Sequence, residues 1–574
     1  MIHRKMPKGK IAAVLLMAAM AGTSITGCTN KAALESTAAS QSTPSESDKG
    51  QEADRSLEVI VDKEFTDRDK EGSYEESSGV KINLTTTGAK IEGDGAAVSG
   101  STVTISKEGT YIVSGTLKNG QIIVDAADTD KVQLVLENAE INCDTSAAIY
   151  VKNSDKVFVT LAEGSTNKLL GGTEYIDTDE NTVDGVIFSK DDLTVNGSGS
   201  LEVTASYKHG IVSKDTLTVT GGNLTVTAVS QCLSGKDEVK ILNGTFQLTT
   251  QGKAVKSDNS EDTSLGNIYV AGGNFTVKSE DDSFHASGNV VIDGGTFLVE
   301  SGDDAFHANQ DVLINDGNIT VSSSYEGLEG YRVTVNGGDI KITATDDGIN
   351  AAEPGSSGSK TENPQRQSGQ RRSKTPQKPE ETKFQLSESK AFDEGLKRRG
   401  GSGGMGSGME NNTNAYIKIT GGTLYVDAEG DGIDSNGSLM ISGGMVYVTG
   451  PVTDGNGAID YNGDGIITGG IVVAEGSAGM AQGFSDSSAQ CSLLYNFSAA
   501  KEAGTAITLT DQGGNELINF TPDKKYSSVV ISSPKMQTGS TYTLTAGSEQ
   551  TELTLQSVVT SNASRKETGG SRMP

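Results

Sequence analysis

A glycine step recurs along the middle of the chain at a nearly fixed interval. Gly-Gly, Asn-Gly or Asp-Gly pairs place their second glycine at 222, 244, 273, 295, 317 and 338, and again at 422, 444 and 470, most of them 21 or 22 residues apart. No repeat of that length and strand-type composition can bury its own apolar face, so each must stack on its neighbours. Leucine-rich repeats share the length, but their leucine framework is missing here. Within a repeat the apolar residues alternate: Phe297 and Val299 face one way with Leu298 opposite, Phe306 follows a turn, and Val312 and Ile314 precede Asp316-Gly317. One inward position reads Leu224, Phe246, Phe275, Phe297, Ile319, Ile340, Leu424, Val446, and another Val239, Ile268, Val290, Val312, Val333, Ile417, Leu439. Two longer strands and one short one per repeat predict an all-β chain, a right-handed parallel β-helix with coils of about 22 residues. Glycine at the repeated corner suits a backbone with positive φ.

Composition agrees. Of 574 residues 72 are Gly, none is Trp and 34% are hydrophobic, which excludes a large helical protein. Seventy-six acidic against 47 basic side chains give a net charge of −29, so no nucleic acid is expected as a partner, because phosphate backbones need clustered Lys and Arg. Cations, or ligands bridged by cations, suit this balance.

The ends and one internal segment depart from the period. His3, Arg4, Lys5, Lys8 and Lys10 precede an apolar run from Ile11 to Ala21, too short to span a bilayer, and Ile25-Thr26-Gly27-Cys28 resembles a bacterial lipoprotein box. Residues 1–27 are therefore read as a lipoprotein signal peptide and Cys28 as the lipidated residue, holding the protein on the extracellular face of a bacterial membrane through its lipid alone. Residues 28–55 read as a flexible tether, 56–352 as the first part of the β-helix with an N-terminal β cap, and 413–476 as its last coils. Residues 477–560 lose the glycine period and read as a C-terminal β cap, and 561–574 as a disordered tail. Residues 353–412, rich in Pro, Gln, Lys, Arg and Ser, read as a disordered basic insertion beside the acidic residues described next. It is a tolerated loop or, in the alternative, a cationic arm held over those acids when calcium is scarce. Cys143, Cys232 and Cys491 are too few and too far apart for a disulfide framework and read as small buried residues.

Aligned on their glycines, the repeats stack Asp281-Asp282, Asp303-Asp304, Tyr325-Glu326, Asp346-Asp347 and Gly430-Asp431. Three residues onward stand His285, His307, Glu329, Asn350, Asp434 and Asp460, where earlier repeats carry Val212, Ser234 and Lys256. Carboxylates one strand spacing apart repel unless a cation lies between them, and oxygen-rich ligands favour Ca²⁺. The plainer reading, that Asp merely begins turns, accounts for the first Asp of each pair and not for the second column. His285 and His307 beside carboxylates also suit a transition metal. Asp460-Tyr461-Asn462-Gly463-Asp464-Gly465 opens like a calcium loop but has Ile471 where a bidentate carboxylate belongs. Tyr425 and Tyr447 share an outward position and offer a short platform for a sugar ring. No catalytic residue is assigned. A lyase would need a base near calcium, for which Lys256 is the candidate, against its reading as a solvated lysine.

Several segments resemble one family: Phe65-Thr66-Asp67-Arg68-Asp69, Gly109-Thr110-Tyr111-Ile112-Val113-Ser114-Gly115-Thr116-Leu117, Gly120-Gln121-Ile122-Ile123-Val124-Asp125, Gly455-Asn456-Gly457-Ala458-Ile459-Asp460 and Tyr526-Ser527-Ser528-Val529-Val530-Ile531-Ser532-Ser533, with the Asp-Asp repeats between them. The chain is similar over about 60–555 to the secreted, mostly clostridial carbohydrate-binding domain-containing proteins, right-handed parallel β-helices like the pectate lyases. That resemblance implies calcium along the helix and affinity for polysaccharide, cellulosic or acidic and pectin-like, without established lyase activity. The expectation is a cell-surface lipoprotein that binds polysaccharide noncatalytically; the alternatives are a calcium-dependent lyase and an envelope scaffold or adhesin.

Overall fold

The computed structural model describes residues 59, 61–177, 179–354, 412 and 414–562. The signal segment, Cys28, the tether, nearly all of the insertion and most of the tail lie outside them. The first compact unit, Met1–Leu57, is likewise outside, so everything below concerns the second, Glu58–Pro574.

Among the described residues strand dominates: a sheet of 41 strands, a second sheet of four, and one helix of four residues, Asp67–Lys70. Most of the large sheet is three ladders of parallel strands, each repeat giving one strand to each ladder. The long ladder runs from Ser200–Ala205 through Asn223–Ala228, Thr245–Thr250, Asn274–Ser279, Thr296–Glu300, Asn318–Ser324 and Asp339–Ala344 to Thr423–Ala428, Met445–Thr449 and Ile471–Gly476. A short ladder of three-residue strands includes Val255–Ser257, Phe284–Ala286, Ile349–Ala351, Ile433–Ser435 and Ile459–Tyr461. The third ladder includes Glu238–Ile241, Asn267–Val270, Val290–Ile292, Tyr416–Ile419 and Ser438–Ile441.

Register follows the period. Leu224 pairs with Phe246, Phe246 with Phe275, Phe275 with Phe297, and Ile340 with Leu424. Val333 pairs with Ile417 across the whole 353–412 insertion. The insertion leaves and returns at one point, where the Asn412 amide donates to Glu353 Oε2 at 3.3 Å. Inside the stack the rings of Phe246, Phe275 and Phe297 lie face to face at 4.5 and 4.6 Å, and Phe284 and Phe306, stacked at 4.9 Å, meet them edge-on. The nine periodic glycines all have φ between +79° and +144°. Space excludes a side chain there as well: a Cβ on Gly295 would lie 3.0 Å from the Gly273 carbonyl oxygen.

Both ends are covered. At the N-terminal end Val80–Thr85 pairs antiparallel with Gly88–Glu92, and Ala96–Ser99 with Thr102–Ile105. At the other end Tyr526–Ser532 pairs antiparallel with Ile471–Gly476, so the last long strand presents no open edge. Ser492–Lys501 adds to it, and the four-stranded sheet built on Ile507–Asp511 and Thr541–Ala546 packs a separate core. One feature was not foreseen from the sequence. The stretch around Asp67–Lys70 lies against the outer face of the third ladder, held by buried Asp69, which accepts from Thr194 Oγ1 at 2.7 Å and pairs with Lys156 at 2.7 Å. Cys143, Cys232 and Cys491 are buried free thiols.

At the junction of the long ladder with the C-terminal strands, Glu475 has no exposed surface. Burial raises its carboxyl to about 8, against the Thr449 hydroxyl and the Lys524 ammonium. A raised acid binds a proton in the folded state that the unfolded chain has released, so this group removes stability as pH rises from about 4.5 to about 8. Glu475→Gln is expected to stabilise the protein at pH 9 by a few kcal/mol and to change little at pH 4, read from urea melts. Phe275→Ala, which opens the middle of the ring stack, is expected to cost about 3–5 kcal/mol in the same assay.

Candidate functional site

The outward position of the short ladder carries, in register, Val212, Ser234, Lys256, His285, His307, Glu329, Asn350, Asp434 and Asp460. The neighbouring turn supplies the second column. There Asp282 Oδ1 accepts the Asp304 N–H at 3.1 Å, Asp304 Oδ1 that of Glu326 at 3.3 Å, and Asp347 Oδ1 that of Asp431 at 2.7 Å. One oxygen of each of these acids thus satisfies the turn of the next repeat, which is the plain turn-forming role. The second oxygens of Asp282 and Asp304 face the first column, at His285 and His307.

Along its length the arrangement divides into two electrostatic halves. In the first half the protein supplies its own cations. Lys253 Nζ contacts Asp281 Oδ1 at 2.9 Å and Asp282 Oδ2 at 2.5 Å. His285 Nδ1 lies 2.7 Å from Asp282, and His307 Nδ1 lies 3.2 Å from Asp304 and 2.5 Å from Glu329. The two imidazoles stack at 4.7 Å. Burial alone would lower His307, but Asp304 and Glu329 outweigh it and hold the imidazolium up to about 11. Burial would likewise raise Asp282, yet His285 and Lys253 hold it well below the usual carboxylate range. His285 is lowered, by burial first and then by the Lys253 charge.

The second half has no such compensation. Among the described residues no Lys, Arg or His pairs with Asp347, Asp431, Asp434 or Asp460, and ligand oxygens of Asp431, Asp434 and Asp460 lie within 4.8 Å of one another. Burial and then mutual repulsion raise Asp347 to about 7 and Asp434 to about 8, with Asp346 contributing to both. Asp431 rises to about 6 through burial, partly offset by the Gly457 N–H, with Asp460 adding repulsion. Glu326 rises to about 10, through burial, Glu329 and Asp304. Asn350 donates to both Glu326 oxygens at 3.2 and 3.1 Å, while its own Oδ1 is buried with no hydrogen-bond partner. Hard oxygen donors, unbalanced negative charge and an orphaned carbonyl fit a Ca²⁺-type cation here. Asp281, Asp282 and Asp303 also cluster within 4.8 Å, but the Lys253 ammonium already lies against two of them.

Four expectations change in this light. Lys256 turns to Asp258, 2.8 Å away, and the lysine that enters the acidic column is Lys253. Lys253 occupies the Asp282 position one repeat earlier, so carrying the alignment back by one repeat would have found it. In the six-residue segment from Asp460, Asp460 joins Asp431 and Asp434, while the Asn462 amide donates to Asn436. Tyr425 and Tyr447 do share a register position, but they stack on each other at 4.9 Å, and Phe520, which no repeat pattern marks, stacks on Tyr447 at 5.3 Å. Their faces are mostly spent on one another. Finally, among the described residues Lys253 and His307 pair with acids in the first half of the column, whereas no Lys, Arg or His pairs with Asp347, Asp431, Asp434 or Asp460 in the second.

A stacked parallel-strand protein whose one face concentrates oxygen ligands is the class that this geometry defines. Residues 99–358 match the family of carbohydrate-binding domain-containing proteins, the family that the sequence resembles. A carbohydrate-binding domain-containing protein of Acetivibrio thermocellus is 41% identical over 137 residues, 24% of this chain and 48% of that relative, so the match spans about half the relative's length. A solved structure, described as the polysaccharide lyase-like protein from C. thermocellum in a gadolinium derivative, is 32% identical with a TM-score of 0.40, over 41% of this chain and 96% of that one. Asp431, Asp434, Asp460, Tyr425 and Tyr447 lie beyond the matched 99–358.

Replacing Lys253 by Met removes the internal cation from Asp281 and Asp282. It is expected to cost about 3 kcal/mol, with part of the loss recovered by millimolar calcium, read as melting temperature with and without the ion.

Proposed function

We propose that this chain is a noncatalytic polysaccharide-binding protein that holds calcium on its acidic face and, through calcium, engages acidic glycan. The observation that carries the reading is the uncompensated half of the column, where Asp431, Asp434 and Asp460 converge and Asn350, in register with Asp434, keeps a buried carbonyl without a hydrogen-bond partner. Calcium there would be held by these carboxylates and by Asn350 Oδ1. When bound it would supply positive charge to a uronate carboxylate, while Asp347 keeps its hydrogen bond to the Asp431 backbone and fixes the turn. The family match over 99–358 supports carbohydrate as the ligand class.

The architecture proposed with it is a right-handed parallel β-helix, supported by three parallel ladders that each gain one strand per repeat. The proposed location is the outer face of a bacterial membrane, by a lipid on Cys28, on the strength of the Ile25-Thr26-Gly27-Cys28 sequence. A lyase is disfavoured because Lys256, its candidate base, is engaged by Asp258.

Calorimetry with polygalacturonate tests the proposal. Binding is expected in calcium, and is expected to be lost in chelator and in the Asp434→Asn/Asp460→Asn double variant, whose melting temperature should no longer respond to calcium. Absence of both the calcium response and the glycan binding in the unaltered protein would refute it. Ultraviolet absorbance from unsaturated uronate ends would reveal a lyase instead.

A further inference from the structure

The segment that ends at buried Asp69 begins several residues earlier. From Asp62 to Asp69 the chain lies as a strap along the outward row of the third ladder, where Thr194, Thr218, Lys240 and Tyr269 follow one another in register. Lys63 pairs with Asp293 at 2.8 Å, the Phe65 ring lies against Tyr269 with centroids 6.0 Å apart, and Asp69 accepts from Thr194. Between these contacts stands Lys240. Its ammonium lies 2.7 Å from Asp62 Oδ2, donates also to the Glu64 carbonyl, and sits over the Phe65 ring 5.3 Å from the centroid. The Lys240 side chain is only 7% exposed, which is rare for a lysine.

The groups around this pair are those that amide formation needs. Glu238 is buried two residues before Lys240 on the same strand, and so on the same face. Its carboxyl accepts from the Asp62 N–H and from the Asn267 amide. Burial raises it to about 7, with Lys240 opposing the rise and Asp62 adding to it, so it can take up and release a proton near neutral pH. Asp62 Oδ1 accepts the Glu64 N–H at 2.9 Å, which draws electron density from the carboxyl carbon and leaves Oδ2 against the amine. An amine and a carboxylate free in water do not condense. Held in contact on a fixed backbone, they react as though at about 10⁵–10⁸ M, which favours the amide over the separate groups.

We infer that Lys240 and Asp62 join in an intramolecular amide that fastens the strap to the third ladder. The Lys240 ammonium passes one proton to Asp62 Oδ2, and the neutral amine attacks Cγ. Glu238 takes a second proton from the nitrogen and delivers it to the departing oxygen, the Cγ–Oδ2 bond breaks, and one water leaves. Its way out is the solvent side of Asp62, whose side chain is 56% exposed. The step needs no oxidant or cofactor and returns Glu238 unchanged. A pull arriving along the chain before Asp62 then enters the ladder inside Glu238–Ile241 and cannot peel the strap away. The inference is independent of the calcium and polysaccharide readings.

Mass spectrometry of a tryptic digest of the full chain tests it. The expected product is a branched peptide that joins the Asp62 segment to the Lys240 segment, one water lighter than its two arms and uncut after Lys240. Lys240→Arg and Asp62→Ala should give both segments as linear peptides. Glu238→Gln, shown to be folded by circular dichroism, should leave them unjoined, an effect that a residue merely packing the strap would not have. Linear peptides with free Asp62 and Lys240 in the unaltered chain, which mean an ion pair only, overturn the proposal. A water loss confined to one linear peptide, the mark of a cyclised aspartyl residue, overturns it as well. A branched peptide formed as fully in Glu238→Gln overturns the role given to Glu238.

Discussion

In-register parallel pairing places every residue of one repeat on its counterpart in the next, so that like stacks on like at one strand spacing, about 4.8 Å. For Phe246, Phe275 and Phe297 this is favourable, since flat rings at that separation are in contact. For carboxylates it is costly, because the same spacing sets like charges side by side. The first half of the acidic column is neutralised from within by Lys253 and His307. Among the described residues the second half has only acids and an amide, and there burial and repulsion raise the Asp347 and Asp434 carboxyls well above the usual carboxylate range. One rule of assembly therefore gives a stable interior and an exterior on which acids crowd together.

The same rule explains what could be read without coordinates. The glycine corners, the Phe ladder and the order Lys256, His285, His307, Glu329, Asn350, Asp434, Asp460 depend only on counting along the period, and each falls in the register that counting requires. What escaped depends on side-chain direction or on distant contacts. Lys253 lies three residues before Lys256 in the same repeat, and only side-chain direction sends it, and not Lys256, to Asp281 and Asp282. Tyr425 and Tyr447 were placed together correctly, but a ladder stacks rings face to face, so the platform shrinks to one face. Phe520 comes from a separate sheet, and Asp69 reaches Lys156 and Thr194 across a long stretch of chain, contacts that no local pattern encodes.

The acidic column lies on the short ladder, whereas a groove on the long ladder, lined by Lys341, Tyr425, Tyr447 and Phe520, differs from it in chemistry. The groove draws its wall from the C-terminal strands, which elsewhere close the edge of Ile471–Gly476. A segment that protects the open end of the stack thus also shapes the outer surface of the long ladder.

The chain adds length unevenly, and this has a consequence for how such a protein diversifies. The segment around Asn259 to Gly266 and the far longer insertion between Pro354 and Asn414 both fall at the passage from the short ladder to the third, and Val333 still meets Ile417 as though nothing intervened. Growth at that corner leaves the count of stacked layers untouched. Sequence drift can therefore remodel the border of the acidic face freely, while any change in the number of layers must arrive as a whole repeat, shifting every column together.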